Sequence, residues 1–125
     1  DYGDCNLRFV SADHGALSMT VHSGYGSTLN LDCVSTGEWW GECEDVDIWL
    51  RPQSELYLTC TGHSACQSLD VHYTADNTQM DANIFVRATG DYVLSWTTIR
   101  CPDISNNVNS KHCEIYVHGN YVQMM

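Results

Sequence analysis

A chain of 125 residues with a formal net charge of −11 and only five Lys plus Arg has too little positive charge to neutralise a phosphate backbone or an anionic membrane surface, so neither nucleic acid nor membrane insertion is expected. Its length bounds it to one domain, residues 1–125, and no apolar run is long enough to cross a bilayer as a helix. Seven Cys in so short a chain point to an oxidising, extracellular or cell-surface location.

Residues 5–27 open the pattern: Leu7-x-Phe9 and Met19-x-Val21 are two short alternating runs, joined by the corner Asp13-His14-Gly15 and closed by Gly24-Tyr25-Gly26. Next come Leu29-x-Leu31 and Val46-x-Ile48, separated by a longer corner carrying Trp39 and Trp40, with Pro52 leading out. The third pair is Leu56-x-Leu58 and Leu69-x-Val71 around the turn TGHSA, which Cys60 and Cys66 flank, and a polar connection follows from Thr74 to Asp81. In the fourth, Ile84-x-Val86 is followed by a weaker Thr97-x-Ile99 and a polar loop from Pro102 to Lys111. The fifth begins at Cys113 with Ile115-x-Val117 and runs to Met125. Strict alternation with period two predicts strands with one buried face.

The first run of each pair starts 22, 27, 28 and 31 residues after the one before. Recurrence at this period predicts a solenoid. Two short strands per unit and no long helical pattern make it an all-β one, of about four and a half coils of ~27 residues. Neither end shows a helix or a polar cap. Two expectations follow: the chain continues into a longer one, as a mature product or fragment that does not begin with Met, or its ends stack head-to-tail on further copies.

The cysteines recur with the units. Cys33 and Cys60 each lie four residues after the first apolar position, and Cys43 and Cys66 each lie three residues before the second run. Pairs Cys33–Cys43 and Cys60–Cys66, each bridging a corner, are expected. Cross-coil pairing fits the stacking distance, but in-register side chains on parallel strands suit disulfide geometry poorly. A Cys101–Cys113 bridge would staple the 102–112 loop, at a gain of about 3 kcal/mol in the chain-entropy picture. Cys5 precedes Leu7 as Cys113 precedes Ile115 and is left over, unpaired or intermolecular.

The phrases CTGHSACQSLDVHY, GDYVLSWTTIRCPD and HCEIYVHG resemble the cysteine-rich repeats of large secreted or surface proteins of algae and protists. The resemblance covers residues 55–120 well and the first 54 loosely. It implies a right-handed parallel β-helix of pectate-lyase-like architecture. For function it implies little, since fold-level analogy does not carry activity.

Candidate chemistry falls on the outward positions. Asp47 and Asp70 share one on successive coils and would lie about 5 Å apart, as a carboxylate pair for acid–base work needs. The matching position of the next coil is Thr98, with no basic partner, so they read as solvated acids and no catalytic residue is expected. The corner from Glu38 to Asp47 carries five acids but lacks the ordered spacing of a calcium loop. The six His lack zinc spacing, so no metal or cofactor is expected. Outward positions of the first run are Arg8, Asn30, Tyr57, Phe85 and Tyr116, the last three forming an aromatic stripe that Trp39 and Trp40 would extend. The expected function is a structural subunit of an extracellular filament or appendage built by end-to-end stacking. The alternative is a carbohydrate-binding module or, less favoured, a polysaccharide-active enzyme.

Overall fold

The structure, a computed structural model, describes residues 3–11, 18–37, 41–74, 82–101 and 112–120. Strands β1 (Asp4–Ser11), β3 (Thr28–Ser35), β5 (Glu55–Thr61), β7 (Asn83–Thr89) and β9 (His112–His118) form one sheet in that spatial order. Strands β2 (Thr20–His22), β4 (Asp47–Leu50), β6 (Asp70–Tyr73) and β8 (Thr98–Ile99) form a second. Every pairing is parallel. The chain therefore alternates between two sheets as it advances, and among the described residues there is no helix. This is an all-β solenoid with three disulfides. The winding amounts to about three turns among the described residues, fewer than the four and a half coils expected.

Alternation produces the core. In β3 the even positions of the strand are buried and the odd ones half-buried, and β5 and β7 follow suit. Leu29, Leu31, Leu56, Leu58, Ile84 and Val86 stack inward from the first sheet and meet Val46, Ile48, Leu50, Leu69 and Val71 from the second. Each fully buried aliphatic side chain contributes roughly 1.5–3 kcal/mol relative to exposure. The outer strands are wetter: inward-facing Ile115 in β9 is 37% exposed, against 3% for Val86, its partner in β7.

The register corrects the sequence alignment at both outer strands. Leu7 and Phe9 align with Leu31 and Cys33, not with Leu29 and Leu31, and Ile115 and Val117 align with Val86 and Ala88. The first inward rung is Cys5, Leu29, Leu56, Ile84 and Cys113, at intervals of 24, 27, 28 and 29 residues. Cys behaves here as a small apolar residue and takes the place of an aliphatic one. Counting from the first aliphatic residue slips each outer strand by two, a shift that leaves every face unchanged.

The corners are stacked as regularly as the strands. Ser64, Cys66 and Ser68 have positive φ, as do Tyr92, Leu94 and Trp96 one coil on, and Cys43 and Asp45 one coil back. Alternate left-handed residues curl the chain and send successive N–H groups to opposite neighbours. Ser64 N–H donates to the Asp91 carbonyl at 2.9 Å, Cys66 N–H to Glu42 at 2.8 Å and Ser68 N–H to Ser95 at 2.7 Å. Each non-glycine residue so placed costs about 1–2 kcal/mol, which bonds between corners and the buried side chains of Ala65, Cys66, Val93 and Leu94 offset. Gly62 and Gly90 lie where each strand of the first sheet ends, at φ +102° and +138°. A Cβ on Gly62 would overlap the Ser35 carbonyl, and one on Gly90 the Gly62 carbonyl. Backbone there stacks directly on backbone.

Disulfides Cys33–Cys43 and Cys60–Cys66 close two successive corners, each with Cα atoms 6.0 Å apart. Cys101–Cys113 joins the end of the second sheet's last described strand to β9, with Cα atoms 5.7 Å apart. Cys5 is free and exposed.

Candidate functional site

Parallel pairing turns each outward position into a row running along the solenoid, and two such surfaces carry the distinctive side chains. On the five-stranded sheet one row is Asn6, Asn30, Tyr57, Phe85 and Glu114, and the next is Arg8, Asp32, Thr59, Arg87 and Tyr116. The aromatic stripe is therefore a pair: Tyr57 and Phe85 stack with centroids 4.9 Å apart and planes 12° from parallel. Tyr116 is not third in that row but pairs with Arg87 two residues along, the consequence of the register at β9. Trp39 and Trp40 lie outside the described residues.

These rows enclose a shallow cavity of about 320 Å³ whose outward walls are Tyr57, Thr59, Phe85, Arg87, Glu114 and Tyr116. Tyr57 is 39% exposed and Tyr116 62%. The Tyr57 hydroxyl donates to Glu55 Oε2 at 3.2 Å. Partial burial, and then the Glu55 carboxylate, pushes the Tyr57 phenol above its ordinary value, so it stays a neutral donor. Arg8 pairs with Asp32 at 3.2 Å on the same sheet, with both side chains exposed, a contact worth about 0–1 kcal/mol.

On the four-stranded sheet the rows are Thr20, Asp47, Asp70, Thr98 and His22, Trp49, His72. Asp47 and Asp70 do pair across β4 and β6. The structure adds a third group that spacing did not reveal. His72 Nε2 lies 2.9 Å from Asp47 Oδ1, because His72 is the next outward residue after Asp70 on β6 and leans back along the strand. One ligand atom each from Asp47, Asp70 and His72 lies within 4.8 Å of the others. Trp49 stacks on His72 at 4.4 Å and more loosely on His22 at 6.4 Å. At the end of β6 the Tyr73 hydroxyl donates to the Arg100 carbonyl, and burial pushes that phenol well up from its ordinary value, against the smaller opposing effect of Arg100.

Of the acidic corner, Glu38 lies outside the described residues, and the rest does not converge. Glu42 is fully buried, with no hydrogen-bond partner among the described residues for either carboxylate oxygen, while Glu44 Oε1 accepts from Gly41 N–H at 3.2 Å. The next corners place Ala65 and Val93 where Glu42 stands. No helix among the described residues is long and apolar enough to cross a membrane. No protein-family model, curated protein or solved structure matches this chain.

Proposed function

We propose that this chain is a structural module of an extracellular or cell-surface assembly: a right-handed β-helix that extends by adding parallel strands at its outer edges. The observation that carries this reading is the incomplete burial of inward apolar side chains on the outer strands, where Ile115 is 37% exposed and Leu7, Phe9 and Val117 are only partly buried. Both strands keep the shared register and offer seven or eight residues of backbone, which is the form of edge that recruits further strands. Three disulfides fit a module kept in an oxidising medium, and the resemblance to cysteine-rich surface repeats points the same way. In a head-to-tail stack Cys5 of one copy would meet the rung of Cys113, whose sulfur is already held by Cys101. Assembly is therefore expected to survive Cys5→Ser.

Sedimentation and electron microscopy of residues 1–125 test this. Concentration-dependent linear oligomers are expected, shortened when Ile115→Lys places a charge on the β9 edge. A species that stays monomeric at every concentration would sink the stacking reading. A second reading, glycan binding, is favoured by the stacked Tyr57–Phe85 platform beside Arg87 and Glu114. Aromatic faces bind the C–H faces of sugar rings and the flanking charges would take hydroxyls.

A further inference from the structure

The four-stranded sheet brings together three donors that the stacking role leaves unused. Parallel pairing forces the carboxylates of Asp47 and Asp70 onto one rung. Both flanking positions are threonines, Thr20 and Thr98, so no cation in the row balances them. His72 supplies a nitrogen on the same face, with Nε2 2.9 Å from Asp47 Oδ1. We infer that Asp47, Asp70 and His72 form a binding site for a divalent transition-metal ion of the zinc class.

The geometry needs little adjustment. Donors bound to such an ion at about 2.0–2.2 Å stand roughly 3–3.5 Å apart, and here all three donor atoms lie within 4.8 Å of one another. Rotation of exposed side chains closes that difference without moving the backbone, which the sheet holds in place. The imidazole is already oriented: Trp49 stacks on it at 4.4 Å with planes 19° apart. On binding, the metal takes the place of the direct contact between His72 Nε2 and Asp47 Oδ1. One nitrogen with two carboxylate oxygens selects a borderline ion, since calcium and magnesium take oxygen ligands. The side chains of His72 and Asp47 are 36% and 46% exposed, so water completes the coordination and affinity is moderate. Arg51 directly follows β4 and Arg100 directly follows β8, and the Arg100 carbonyl is engaged by Tyr73. The site stands apart from the outer strands and from the Tyr57–Phe85 cavity.

Isothermal titration of the whole chain with zinc chloride tests it, in a Cys5→Ser background so that the free thiol does not compete. One zinc per chain is expected, with affinity falling roughly tenfold or more in Asp70→Asn and in His72→Gln. Copper, as a paramagnetic stand-in, should quench the emission of Trp49 through its contact with His72, and Trp49→Phe identifies that component of the signal. The inference is overturned if wild-type protein binds no zinc at millimolar concentration, if it prefers calcium, or if both variants fold by circular dichroism and bind zinc as before. Should one variant fail to fold, the other decides.

Discussion

In the five-stranded sheet the strands run seven or eight residues, whereas those of the four-stranded sheet run two to four. The first sheet pairs seven or eight residues at each junction and the second as few as two. Backbone bonding between coils is concentrated on the long sheet. Its inward residues are mostly aliphatic or Cys, with Phe9 in β1 and Ser35 at the end of β3, and its outward rows hold stacked rings and an ion pair. The short sheet contributes less to holding coils together, yet it carries Asp47, Asp70 and His72. A rigid long sheet lets the short one present an energetically unfavourable pair of like charges. A solenoid can thus divide its two surfaces between cohesion and chemistry.

The largest effect that would sharpen this contrast is at the centre of the long sheet. Leu58→Ala removes a side chain that is 1% exposed and should cost about 3–5 kcal/mol in chemical denaturation. The matched truncation in the short sheet, Ile48→Ala at an equally buried residue, should cost less, about 2–3 kcal/mol. If Ile48→Ala proves as damaging as Leu58→Ala, the cohesive role assigned to the long sheet is wrong. Next in size, Tyr57→Ala should abolish retention on immobilised polysaccharide if the outward face of the long sheet binds sugars. Retention that is equal in wild type and variant, or absent from both, removes that reading and leaves the long sheet purely cohesive.

The smallest expected effect lies at the corner between β3 and β4. Glu42 is buried without a partner among the described residues where the next coils have Ala65 and Val93. Glu42→Leu should therefore stabilise the fold by about 1–2 kcal/mol, the desolvation cost of an unsatisfied polar group. Thermal unfolding reads this directly, and a lowered midpoint would mean that the carboxyl is needed where it stands.

The parallel stack was legible because period-two alternation recurs at Leu29, Leu56 and Ile84, and such a pattern leaves few other ways to bury one face. The outer strands were misaligned because Cys5 and Cys113 fill inward positions without looking like aliphatic residues, and this put Tyr116 in the wrong row. The local sequence marks where the corners fall but not the backbone conformation they adopt. Cys66, Leu94 and Trp96 are not residues that favour positive φ, and stacking between coils imposes it on them. The Asp47–Asp70 pair could be read from spacing, whereas His72 belonged to a different row. Its approach to Asp47 depends on how a side chain leans along its strand, which a spacing count does not contain.

The placement of the disulfides has a mechanical consequence. Cys33–Cys43 and Cys60–Cys66 lie within single coils, so they do not resist the separation of one coil from the next. Tension along the axis would peel the stack coil by coil, but each oxidised corner keeps its 10 or 6 residues of separation out of the lengthening chain. At about 3.3–3.6 Å per extended residue, less the 6.0 Å that each bridge itself spans, a released coil pays out roughly 14–30 Å less slack than its reduced counterpart. Force spectroscopy with and without a reductant would measure that difference. Oxidation thus sets how far a loaded coil can stretch and leaves the force that opens it to the strand ladders.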